Sequence, residues 1–190
     1  MSAVASEDVR LPTYSMLVRR ARRGSDVHLP AAMLASNWHG LGAMPVCLGL
    51  DSRMFGWMLD HHFPGLTWPG VMPGGGQWNA AAMPEYRELK DLFTEYQTAH
   101  LREQPWWIEI MIIGCSGRNH LWEDLGLFDR RDLNQLMHAH FPDLAARNSR
   151  DMKWKKFLYK QLCEREGIIA CPAPSCDECT HFSECFAPED

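Results

Sequence analysis

Apolar side chains recur along this chain at the three-and-four spacing of helix faces. After Asp51, the residues Phe55, Met58, Leu59 and His62 fall on one stripe. Asp51 is placed to cap it, Leu50 to staple onto Phe55, and Pro64 to stop it. The stretch after Asp129 repeats the design. Leu133, Leu136, Met137 and His140 form the stripe, Phe128 staples to Leu133, and Pro142 ends it. Further helices are predicted over 12–23, 30–39, 84–101 and 150–166. The last buries Trp154, Phe157, Leu158 and Leu162, sets Lys153, Lys156 and Lys160 on another face, and stops at Gly167. Residues 105–115 (PWWIEIMIIGC) fit a buried helix or a strand, and the helical neighbours favour helix. Residues 64–77 (PGLTWPGVMPGGGQ) hold too much proline and glycine for regular structure and read as a loop, whether hinge, docking loop or plain linker. The fold class expected is mainly α: a single helical domain with an irregular C-terminal cysteine-rich loop.

The two capped helices align without a gap, DSRMFGWMLDHHFPGL (51–66) over DRRDLNQLMHAHFPDL (129–144). A candidate internal repeat therefore pairs 48–66 with 125–144. The competing reading is convergence, because capping and proline stops alone fix many of these positions. The expected division is a helical domain over 1–166 and a cysteine-rich cluster loop over 167–190.

With 190 residues, 46% of them hydrophobic, the chain can bury one good core. The start, MSAVASEDVRLP, has no apolar core of a signal peptide, and no apolar stretch is long enough to span a bilayer. These features predict a cytoplasmic protein with reduced thiols and no membrane partner. A net charge of -5 argues against a general nucleic-acid binder. Locally the charge is uneven. Seven basic residues lie between 147 and 165 against Asp151 and Glu164, whereas 171–190 holds five acids and no Lys or Arg. The basic run reads as a solvated helix face, or as a surface for an anionic cluster, an oxyanion or an acidic partner.

Four of the seven cysteines stand in that tail, as Cys171-x4-Cys176-x2-Cys179-x5-Cys185. Thiols so close together in a reducing compartment point to a metal centre. Thiolates select zinc, iron–sulfur clusters or copper(I). Structural zinc sites pair two short knuckles across a longer span. Here one knuckle is flanked by single cysteines, which suits a cubane better, with zinc still open.

Other candidates carry competing readings. Cys115 and His120 could supply an extra ligand, or be a buried thiol and a structural histidine. Cys163 could be a fifth thiolate or a small core residue. His62 and His140 lie on apolar stripes and read as satisfied core histidines, with His61, His138 and His181 more exposed. Gly74-Gly75-Gly76 lacks the Lys-Ser/Thr of a phosphate loop, and no catalytic triad or carboxylate pair is legible.

The cysteine tail, preceded by NSRDMKWKKFLYKQLCEREG (148–167) and NHLWEDLGL (119–127), resembles the NifQ family of nitrogen-fixing bacteria. The likeness is strongest from Cys115 to Phe186, and reaches back more weakly to residues 48–65. It implies a non-enzymatic carrier. Such a protein would acquire molybdenum on an iron–sulfur cluster (a Mo-Fe-S cubane) and donate it for synthesis of the nitrogenase iron–molybdenum cofactor. Its partners would be the NifEN scaffold and the NifH iron protein, its source molybdate. Cys171, Cys176, Cys179 and Cys185 match the family's cysteine motif and would be the cluster ligands. Two other readings remain: a zinc-stabilised interaction module, and a helical iron–sulfur DNA-repair enzyme, which would need a basic DNA face.

Overall fold

In the computed structural model, residues 8–23, 26–69 and 78–165 are described, and they fold into α-helices and short 3-10 turns without a strand. In order the helices are α1 (Leu11–Arg20), α2 (His28–Trp38), α3 (Ser52–His62), α4 (Tyr86–Tyr96), α5 (Trp106–Cys115), α6 (Leu121–Asp124), α7 (Arg130–His140), α8 (Pro142–Arg147) and α9 (Trp154–Arg165). Their buried side chains, from Leu17 to Leu162, join in one contiguous core. No helix among the described residues is long and apolar enough to cross a membrane. The expected boundary at 166/167 and residues 70–77 of the predicted loop lie outside the described residues.

The ambiguous segment 105–115 is the central helix. Every residue of α5 except Glu109 is buried. With no polar face, its sequence shows no amphipathic period, so helix and strand could not be told apart. Glu109 is held by its neighbours on α4: its carboxylate accepts from the Tyr86 hydroxyl at 2.9 Å and from Lys90 Nζ at 2.8 Å. α3, α4 and α6 pack around α5.

The helices α3 and α7 share their terminal geometry. The Asp51 carboxylate accepts from the Met54 N–H at 2.8 Å, and Asp129 accepts from Arg131 N–H at 2.8 Å and Asp132 N–H at 3.2 Å. Each helix has 11 residues and ends on a histidine. Each is followed by a fully buried phenylalanine in similar backbone conformation, Phe63 (φ -133, ψ 65) and Phe141 (φ -135, ψ 54).

Three expected helices end or begin elsewhere. The stretch 84–101 breaks after Tyr96, because the Thr98 N–H donates to the His140 carbonyl at 3.1 Å, and the chain resumes as a 3-10 turn over Ala99–Glu103. α9 starts at Trp154 rather than at 150. The Asn148 side chain binds both the N–H and the carbonyl of Met152, each at 2.9 Å, and holds the intervening residues in a turn. α1 stops at Arg20 because the Arg22 N–H is drawn to the His62 carbonyl at 2.8 Å. Pro142, expected only as a stop, also opens α8 at the position where a missing N–H costs nothing.

Before α3 the backbone turns left-handed over Cys47 and Leu48, both at φ 56, and Gly49 at φ 73. Such a run is costly for side-chain-bearing residues. It buries Leu48 completely and presses Gly49 against α5, where a Cβ would sit 2.7 Å from Ile113 Cδ1.

Candidate metal centre

The four tail cysteines Cys171, Cys176, Cys179 and Cys185, and His181 among them, lie outside the described residues. The described chain ends on α9, the helix that leads to them. α9 is anchored along its length: Trp154, Phe157, Leu158 and Leu162 are buried as expected, and so are Tyr159, Gln161 and Cys163. The indole N–H of Trp154 donates to Asn134 Oδ1 at 2.7 Å, and Arg165 pairs with Glu95 in the last turn of α4.

The basic residues of this helix are divided. Lys155 turns inward, donating to the Gly117 carbonyl at 2.7 Å and pairing with Asp124, whose side chain has no solvent exposure. Asp124 also accepts from the Asn119 N–H at 3.0 Å. Gly117 makes room for this carboxylate, since a Cβ there would lie 2.3 Å from Asp124 Cγ. Of the expected Lys153, Lys156 and Lys160 stripe, Lys160 is exposed, 3.6 Å from Glu164, and lines a groove of about 380 Å³. The other cations of that groove are Arg147 and Arg150, which precede the helix. An anion drawn to this face would therefore meet arginines as much as the lysine stripe.

The remaining thiols are poor ligands. Cys47, Cys115 and Cys163 are all buried. Burial pushes the Cys115 thiol up to about 12 and raises Cys47, which disfavours a free thiolate at either position. His120 occupies the N-cap of α6, where the Glu123 carboxylate accepts from its backbone N–H at 3.0 Å. Among the described residues, no three His, Cys, Asp or Glu side chains are grouped to hold a metal ion.

The histidines depart most from expectation. His62 is buried, with 3% exposure, but it is not satisfied among the described residues: there, both ring nitrogens lack a hydrogen-bond partner, as does the neighbouring Trp106 indole N–H. Burial, reinforced by His61, His140 and Arg22, holds His62 down to about 3. His140 is held to about 4 by burial and by His100, with Asp26 opposing. Trp107 packs against both rings, at 6.2 Å from His62 and stacked 4.9 Å from His140. His100, which the helix pattern did not single out, brings Nε2 to 3.4 Å from His140 Nδ1. His61 is half-buried beside Trp106 and His138 is exposed.

A second polar relay, also unforeseen, ties three helices. The Tyr14 hydroxyl meets His28 Nδ1 at 2.8 Å, and His28 Nε2 meets Asp132 Oδ1 at 2.7 Å. Each of these residues lies on a different helix, so no local spacing could have signalled the contact.

The chain matches the family model described as NifQ over residues 29–187, a span that includes all four tail cysteines. It is 35% identical over 167 residues to the protein NifQ of Azotobacter vinelandii, covering 83% of this chain and 86% of that one. It is 34% identical over 151 residues to the protein NifQ of Rhodobacter capsulatus, covering 79% and 81%. Over a shorter stretch of 69 residues it is 51% identical to the protein NifQ of Klebsiella pneumoniae, covering 36% and 41%. No solved structure matches the chain. An all-helical fold, a cysteine motif at its end and a family match across most of its length lead to one conclusion: this chain belongs to the NifQ family, involved in nitrogen fixation and iron–molybdenum cofactor synthesis.

Proposed function

We propose that the protein is a non-enzymatic carrier that gathers molybdenum on a thiolate-bound Mo-Fe-S cluster and donates it to the nitrogenase cofactor assembly proteins, the NifEN scaffold with the NifH iron protein. The observation that carries this reading is the four-cysteine motif lying wholly within the family match. The buried state of the other three cysteines supports it by leaving Cys171, Cys176, Cys179 and Cys185 as the available thiolate set.

The chemistry is a change of ligands. Molybdenum enters as molybdate, a hard oxyanion, and the cofactor needs it bound to sulfide and reduced, with the electrons supplied by a separate electron-donor protein. Four thiolates match the four metal corners of a cubane, one of which is given to molybdenum. The arginine and lysine groove beside α9 offers a positive potential to molybdate or to the anionic cluster. Replacing Cys171, Cys176, Cys179 or Cys185 singly with serine should lower iron and sulfide content and abolish molybdenum transfer to the scaffold. Transfer persisting in all four variants would refute the assignment.

A further inference from the structure

The fold gathers the histidines around Trp106 and Trp107 from three elements. His62 and His140 come from equivalent ends of α3 and α7, His61 from beside the first, and His100 from the 3-10 turn after α4. The separation of His100 Nε2 and His140 Nδ1, 3.4 Å, is long for a hydrogen bond. It also matches the spacing of two nitrogens on one ion. With metal–nitrogen bonds of about 2.0–2.1 Å at tetrahedral angles, two imidazole nitrogens stand about 3.3–3.4 Å apart. A hydroxyl oxygen, Thr98 Oγ1, lies at the same 3.4 Å from His100 Nε2.

We propose that His100 and His140 form a two-imidazole site for a divalent first-row transition-metal ion, with the Thr98 hydroxyl beside it. The supporting structure around the site is already in place. Trp107 stacks on His140 and fixes its ring plane. The Thr98 N–H donates to the His140 carbonyl, which locks the two segments in register. Imidazole suits zinc, copper, iron and nickel ions. No further His, Cys, Asp or Glu completes the set among the described residues, so coordination positions stay open. Such a site takes up and releases an ion rather than retaining it. The proposal stands apart from the carrier reading, because it uses none of the tail cysteines.

The test uses the full-length chain with Cys171→Ser, Cys176→Ser, Cys179→Ser and Cys185→Ser, so that thiolates do not compete. Zn²⁺ is titrated by calorimetry and Cu²⁺ by electron paramagnetic resonance. The expected result is one ion per chain, with nitrogen couplings from two imidazoles. His100→Gln or His140→Gln should weaken Zn²⁺ binding by about 10-fold or more. His138→Gln, exposed on the same helix, should leave it unchanged. Should the serine variant not fold, as judged by circular dichroism, Co²⁺ is titrated into the native chain. The histidine variants must then lose one equivalent while thiolate-to-cobalt charge transfer persists. Equal affinity in His100→Gln, His140→Gln and the parent, or a bound Cu²⁺ without imidazole coupling, would overturn the proposal. Neither result bears on whether the tail holds iron and sulfide.

Discussion

A carboxylate with no solvent exposure needs a cation, and Asp124 has Lys155. Removing the cation while leaving the acid buried is costly, so Lys155→Met should destabilise the fold by about 3–5 kcal/mol in urea denaturation. A loss under about 1 kcal/mol would mean that Asp124 is neutral or reached by water. The histidines make a prediction of opposite charge. His62 and His140 are held to about 3 and about 4 in the folded chain, below the ordinary histidine value of 6.5. Under pH 6.5 the unfolded chain takes up protons that the folded one refuses, so stability must fall from pH 6.5 down to about 3. The drop is on the order of 5 kcal/mol for His62 alone, and His62→Phe should flatten the pH profile of the melting temperature. An unchanged profile would place the loss on carboxylates instead. Neither feature was legible in the sequence. Lys155 looked like one more surface cation in a basic run, and His62 looked like a satisfied core residue. What gives each its role is a partner, or the lack of one, far away along the chain.

Elements were far more legible than contacts, because helix ends are written locally. Asp51 and Asp129 both cap as their positions before the apolar stripes implied. Asp51→Ala and Asp129→Ala should each cost about 1 kcal/mol in denaturant unfolding. The capped ends lie on separate helices without a shared partner, so the double variant should lose about the sum, to within roughly 0.5 kcal/mol. A cost near zero would show that the caps only mark the helix starts. The misread elements have tertiary causes. Thr98 breaks the expected 84–101 helix because its N–H pairs with His140, which stands 42 residues away in sequence (140 less 98). α6, a single turn of four residues, is too short to show a period. In α5 the apolar residues run all round, so length and neighbours had to decide what periodicity could not.

At the scale of the molecule, the helical body is built as a scaffold that ends on a well-anchored helix leading to the cysteines. Its class was legible because amphipathic stripes and proline stops fill most of the chain. The candidate site was legible only as a motif: the cysteine spacing proposes donors but not their arrangement, and all four lie outside the described residues. The histidine cluster escaped notice because it is assembled from helix ends that only the fold brings together. A soft-metal carrier differs from a zinc-stabilised module in what it contains when isolated. The most direct test is to purify the protein without oxygen from cells supplied with molybdate and measure iron, acid-labile sulfide, molybdenum and zinc per chain. The account predicts iron and sulfide in cluster proportion, with molybdenum bound, and loss of all three when the tail cysteines are replaced by serine. Stoichiometric zinc without sulfide would contradict it.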